Sequence, residues 1–138
     1  MKNKIKWGVL GLGGIAHKFV NDLLLEDNAI LYGVASRSME KATHFALKYN
    51  CPNYYKSYEE LVKNEEIDII YIATTHHLHA ENTLLCLNHK KAVLCEKPFA
   101  INKKQVLKMI QASKDNSTFL MEALWTRFIP GMLKIKEM

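Results

Sequence analysis

The sequence predicts an α/β fold, a doubly wound parallel sheet of about six strands, on three observations. A buried strand, a glycine turn and a helix start follow one another over Ile5–Ala16. Six strand-like segments alternate with five helix-like ones along the 138 residues. The run Ile69-Ile70-Tyr71-Ile72-Ala73 is apolar without alternation, as a central strand covered on both faces must be.

Strands are expected at Lys4–Leu10, Ala29–Ala35, Tyr54–Lys56, Asp68–Ala73, Ala92–Glu96 and Thr118–Glu122. After the glycines, Ile15, Phe19 and Leu23 recur at helical spacing and predict the apolar stripe of a first helix. Ser38 caps the next helix, whose stripe is Ala42, Phe45, Ala46 and Tyr49. Ser57-Tyr58-Glu59-Glu60 is a capping box, and Asn102 with Gln105 is a looser form of the same device. After the sixth strand, Trp125–Gly131 leads into Met132–Met138, which reads as the opening of a further helix. No repeat, low-complexity tract or linker interrupts the chain.

Length and composition bound the function. With 49% apolar residues, 138 positions suffice for one core but are short for a two-domain enzyme. The start, Met1-Lys2-Asn3-Lys4, leads into a strand, and no apolar run approaches a membrane span, so a soluble cytoplasmic protein is expected. Cys51, Cys86 and Cys95 lack paired-thiolate spacing and read as reduced, buried thiols. The net charge of +5 is spread over scattered lysines without interleaved aromatics, which argues against nucleic acid and fits attraction for a phosphorylated ligand.

The turn Gly11-Leu12-Gly13-Gly14-Ile15-Ala16 points to a dinucleotide. Gly11 permits a tight turn, Gly13 lets the backbone approach a pyrophosphate, and the small Ala16 lets helix and strand pack closely. The anion then faces unpaired N–H groups at the helix start. A bare G-x-G-x-x-A occurs by chance in unrelated chains, but here a strand precedes it and helical spacing follows, the context that makes the architecture Rossmann-type.

At the end of the second strand, NAD-binding units place a carboxylate roughly twenty residues past the glycines, on the ribose 2′-hydroxyl. This chain reads Val34-Ala35-Ser36-Arg37-Ser38 there, with no carboxylate. Ser36 can donate a hydrogen bond and Arg37 can fork onto a 2′-phosphate, with Lys41 one turn into the next helix, so NADP is expected over NAD. The plainer alternative leaves Arg37 as a solvated loop residue.

Strand four delivers Thr74-Thr75-His76-His77-Leu78-His79 at its carboxyl end, where open α/β sheets bind ligands. Three histidines invite a metal, but no nearby cysteine or carboxylate completes a zinc set, so no metal is expected. Cofactor-ribose contact and helix capping both remain open for them. Strand five ends in Cys95-Glu96-Lys97-Pro98. Proline draws Lys97 toward extended backbone, and an ammonium beside a nicotinamide can orient a substrate hydroxyl or help move its proton. A surface lysine paired with Glu96 is the alternative.

Together, the glycine turn, Ala35-Ser36-Arg37, the Thr-x-His-x-x-His segment, Glu96-Lys97-Pro98-Phe99-Ala100 and Met121–Pro130 resemble the Gfo/Idh/MocA oxidoreductase family over essentially the whole chain. The last motif is most similar to the branch holding dihydrodiol dehydrogenase, NADP-dependent xylose dehydrogenase and glucose–fructose oxidoreductase. The resemblance implies that Gly11, Gly13, Gly14, Ile15 and Ala16 line the pyrophosphate turn and that Ser36 and Arg37 hold the adenosine 2′-phosphate. It matches Thr74, His76 and His79 to the family segment after strand four, where Thr75 departs from the usual proline. It puts Glu96 at the nicotinamide ribose, Lys97 at the reacting carbon as the catalytic residue, and Trp125 and Arg127 near the nicotinamide end.

Members of that family continue into a second domain with an open sheet, a further acid/base and usually the dimer interface. Residues 1–122 are accordingly expected to be the dinucleotide-binding domain, with 123–138 opening the crossover to a substrate domain. The implied function is the NADP-binding domain of an oxidoreductase that moves hydride between NADP and a hydroxyl-bearing carbon of a small sugar, polyol or dihydrodiol. A non-catalytic dinucleotide-binding module is the alternative. The chain alone is expected to bind NADP without turnover, and to self-associate as a homo-oligomer through apolar surface near Trp125, Phe128 and Met132.

Overall fold

The computed structural model describes residues 3–138; Met1 and Lys2, which entered the expectation of a leaderless start, lie outside the described residues. Six strands form one parallel sheet: β1 (Ile5–Leu10), β2 (Ala29–Ala35), β3 (Asn53–Tyr55), β4 (Ile69–Ile72), β5 (Ala92–Glu96) and β6 (Leu120–Ala123). Their order is β3-β2-β1-β4-β5-β6, and every pairing is parallel. This is the doubly wound arrangement the sequence predicted, in which the chain runs outward from β1 and then outward again from β4.

Helices α1 (Gly14–Leu23), α2 (Met39–Tyr49), α3 (Tyr58–Val62), α4 (His79–Asn88), α5 (Lys103–Asn116) and α6 (Pro130–Glu137) make the connections and the final segment. Short 3-10 turns stand at His76–Leu78 and Trp125–Phe128. Ser38 and Ser57 accept hydrogen bonds from the backbone N–H of Lys41 and Glu60, so both expected caps form. At α5, Asn102 accepts from the Gln105 N–H and the Gln105 side chain accepts from the Ile101 N–H. Such caps each contribute about 1 kcal/mol by pairing donors that the first helical turn leaves free.

Right-handed crossovers put α1 and α2 on one face and α3, α4 and α5 on the other. Val9, Ala16, Val20, Leu31, Val34 and Phe45 pack in the first core layer, and Leu10, Leu61, Ile70, Ile72, Val93 and Cys95 in the second. β2 and β5 occupy the expected residues, while β6 begins two positions late because Ser117 adopts a left-handed conformation (φ 50°) that closes α5 and delays the strand.

The stripe expected on α1 needs correction. Ala16, Val20 and Leu23 are its buried residues, whereas Ile15 is exposed and Phe19 only half-buried. Ile15 and Phe19 flank the core side and face an apolar groove over β4–β6 instead. All three cysteines are free and buried, and burial pushes the Cys51 thiol up to about 11 and that of Cys95 to about 12. No helix among the described residues is long and apolar enough to cross a membrane.

Candidate functional site

At the carboxyl edge of the sheet, the turn between β1 and α1 leaves a cradle whose shape depends on glycine. Gly11 has φ +84°, and a Cβ there would lie 2.8 Å from the backbone of Ala73 and Thr74. That position therefore serves the close passage of two loops. Gly13 and Gly14 differ, since a Cβ on either would meet nothing within 4 Å. Their bare faces border open space, the requirement for an approaching anion.

Gly13 is also the N-cap of α1 and supplies no side-chain cap, whereas α2, α3 and α5 are each capped by a serine or asparagine. The first turn of α1 thus begins at the cradle with no side chain capping its N–H groups, which suits the pyrophosphate of a dinucleotide. Ala16, one turn in, is fully buried and brings the helix down on the strand.

A cavity of about 560 Å³ extends from this cradle. It is lined by Gly11 and Gly13, by Ser36, Arg37, Ser38 and Lys41, and by Thr74 from the end of β4. Ser36 is buried, and its Oγ accepts from the Ser38 N–H at 3.1 Å, a serine turn that directs the following residues along the cavity wall. Arg37 is exposed and stands beside the Tyr58 hydroxyl, whose pKa burial raises and the guanidinium partly restores. No Asp or Glu lines this cavity, so its charged side chains, Arg37 and Lys41, suit an anionic ligand. Sequence reasoning missed Tyr58 as a lining residue. The available signal was an aromatic directly after the Ser57 cap, which faces back toward the β2 loop.

A second, smaller cavity of about 190 Å³ gathers Ile15, Thr74, His76, His79, Glu96 and Lys97. These six come from three separate stretches of chain, and all were expected site residues. His79 is fully buried; its Nδ1 lies 2.7 Å from the Pro98 carbonyl oxygen and its Nε2 3.0 Å from that of Thr74. It ties the loop after β4 to the loop after β5 and offers a ligand only its ring. Asn82 donates to Thr74 Oγ1 at 3.1 Å and steadies the same loop. Among the described residues no three His, Cys, Asp or Glu side chains gather into a metal-binding group.

Lys97 is exposed at the end of β5, and the peptide bond joining it to Pro98 is cis. The loop around it is pinned at several points. Glu96 accepts from the Tyr71 hydroxyl at 2.7 Å and from the Lys97 N–H at 3.0 Å, and Glu122 accepts from the Phe99 N–H at 3.1 Å.

Adjoining through Ile15 and Glu96 is an apolar groove of about 460 Å³ walled by Phe19, Tyr71, Leu94, Met121, Trp125 and Phe128. Trp125 thereby shares a groove with Ile15 of the first turn of α1 and with Glu96. Arg127 is exposed on the turn Trp125–Phe128 and lines none of these three cavities.

Comparison with known proteins agrees with this geometry. The profile of an oxidoreductase family with an NAD-binding Rossmann fold, GFO_IDH_MocA, matches residues 5–124. Trans-1,2-dihydrobenzene-1,2-diol dehydrogenase of Danio rerio is 43% identical over 137 residues, which cover 97% of this chain and 41% of that protein. Its counterpart from Mus musculus is 42% identical over 135 residues, 96% of this chain and 40% of the relative. The crystal structure of a 3-ketoreductase from Actinomadura kijaniata in complex with NADP and TDP-benzene aligns with a TM-score of 0.93 at 26% identity, over 99% of this chain and 42% of that one. The chain thus spans about two fifths of the length of the proteins it resembles.

Proposed function

The chain belongs to the GFO_IDH_MocA oxidoreductase family, and from that premise we propose that it is the NADP-binding domain of a dehydrogenase acting on a small sugar, polyol or dihydrodiol. The observation that carries this reading is the cavity beside the glycine turn, where Ser36, Arg37 and Lys41 stand without a carboxylate. The relatives named for dihydrodiol oxidation support the substrate class.

In this reading the turn from Gly11 to Ala16 holds the pyrophosphate, through backbone N–H groups at the start of α1. Arg37, with Ser36 and Lys41, binds the 2′-phosphate by charge-assisted hydrogen bonds. Thr74, His76 and His79 wall the cofactor's central portion, and Glu96 meets the nicotinamide ribose. Bound NADP supplies the hydride acceptor for oxidation and, reduced, the hydride donor for the reverse reaction. Lys97 then acts at the substrate oxygen: it orients the hydroxyl and takes part in moving its proton as the carbinol carbon becomes a carbonyl. Trp125 and Arg127 bound the nicotinamide end. Residues 1–122 form the cofactor domain, and 123–138 lead toward the substrate-binding part, whose role is to hold the substrate in a reactive pose.

The test is titration of NADPH and NADH against the chain and its Arg37→Ala variant. Wild type should favour NADPH by about tenfold or more, since one charge-assisted hydrogen bond contributes about 1.5–3 kcal/mol. The variant should lose most of that preference. Equal affinities in wild type, or an unchanged ratio in Arg37→Ala, would overturn the cofactor reading.

A further inference from the structure

Tyr71 sits in the middle of β4, 1% exposed, with its ring stacked on Phe19 at a centroid distance of 3.7 Å. A phenylalanine would fill that space equally well. The hydroxyl does something the ring cannot, since it donates to Glu96 Oε1 at 2.7 Å, while Glu96 Oε2 accepts from the Lys97 N–H at 3.0 Å. The sheet register makes this possible. Tyr71 pairs with Leu94, and Glu96, two residues on, points to the same face of β5. A phenol reaching diagonally across two strands therefore meets the carboxylate that precedes the exposed lysine.

Both oxygens of Glu96 thus have a fixed donor, each keeps capacity to accept a further hydrogen bond, and the residue lines the cavity shared with Lys97 and His79. Burial and the neighbouring carboxylate both push the Tyr71 phenol up, which keeps it a donor over the whole working range of pH.

We propose that Tyr71 is a positioning residue for the nicotinamide end of the site: its hydroxyl sets the Glu96 carboxylate in the orientation that receives the cofactor ribose and fixes the backbone of Lys97. The proposal rests on the cofactor reading given above. It separates the role of the hydroxyl from that of the ring, which belongs to the core.

The experiment compares 2′,5′-ADP, which reaches only the adenosine end, with NADPH, which spans both ends. In Tyr71→Phe, with the ring and the melting temperature retained, affinity for 2′,5′-ADP should stay at the wild-type value while NADPH weakens about three- to tenfold, the scale of one lost hydrogen bond. The emission of bound reduced nicotinamide should shift toward that of free NADPH. Glu96→Ala, at a half-buried strand end, should give the same pattern independently, and the double variant should bind no worse than Glu96→Ala alone, because the tyrosine acts through the carboxylate. Unchanged NADPH binding in Tyr71→Phe, parallel weakening of both ligands, or additive effects in the double variant would overturn the proposal. Failure of the wild-type chain to bind 2′,5′-ADP would instead overturn the cofactor reading, and this proposal with it.

Discussion

Leu31, Gly33, Val34 and Ala35 of β2 are all buried, whereas every residue of β6 is only half-buried. The contrast runs through the whole sheet. Over β1–β3, α1 and α2 close one face and α3 the other, so side chains of both parities enter a core. Over β5, Val93 and Cys95 are buried beneath α4 and α5, while Leu94 and Glu96 on the opposite face stay half-open. Right-handed crossovers explain the difference: the helices that follow β4 and β5 must lie on the far face, and none of the local connections returns to cover the near one. Phe19 and the turn Trp125–Phe128 border that apolar face without closing it.

The two ends of the proposed cofactor site inherit this asymmetry. The adenosine end sits over the covered half and is polar, with Arg37 and Lys41 as its charges. The nicotinamide end opens onto the bare half, where Lys97 and Trp125 are exposed. Binding is thus assigned mainly to one half and chemistry to the other, and substitutions can break or sharpen that division.

The largest effect is expected at Lys97. In the complete protein, Lys97→Ala should slow hydride transfer by about 10²–10⁴-fold, the usual contribution of a positioned proton-transfer group. NADPH affinity and melting temperature should hardly move, because the side chain is exposed and outside the core. Single-turnover measurement of NADPH formation checks this, and a fully active variant would remove Lys97 from the chemistry.

Next is Gly13→Val, at the covered end. A Cβ there meets no protein atom, so the variant should fold and melt as wild type does. Its branched side chain occupies the pyrophosphate's approach, and affinity for NADPH should fall by about a hundredfold, equivalent to about 2.8 kcal/mol. Calorimetric titration of a folded variant that still binds normally would show the cradle to be structural only.

The smallest effect concerns pH and the ground beneath the adenosine end. His17 Nδ1 lies 2.7 Å from the Tyr49 hydroxyl, and burial, then the charges of Lys48 and His44, lower its pKa below the ordinary histidine value. The unfolded chain therefore takes up this proton more readily than the folded one. Stability is full above about pH 6.5 and is lost as the pH falls below that value toward the lowered folded one. Thermal melts between about pH 7 and pH 5 should show this decline, and His17→Gln should make it shallower. An identical slope in the variant would place the coupling elsewhere.

Much of the covered half was legible because its signals are local. The glycine turn, the Ser38 cap and the absence of a carboxylate after β2 lie within about thirty consecutive residues, each interpretable from backbone sterics or hydrogen-bond chemistry. The stripe Ala42, Phe45, Ala46 and Tyr49 is buried as its spacing predicted. The Ile15, Phe19 and Leu23 stripe was misread because helical spacing identifies an apolar face without telling which neighbour covers it. Tyr58 was missed for a related reason: a cap marks where a helix begins, not which loop its first side chain meets.

By itself, then, the sequence determined the doubly wound parallel sheet, the phosphate cradle and the charge beside it, since turn sterics, caps and strand burial act over short stretches of chain. Only the tertiary structure decided which face of β5 and β6 stays open and how the exposed lysine is held. Those depend on the handedness of the crossovers and on register between β4 and β5, which bring Tyr71 within 2.7 Å of Glu96 across 25 residues of chain. No periodicity in one segment encodes that meeting, because each partner's position is set by the strand beside it.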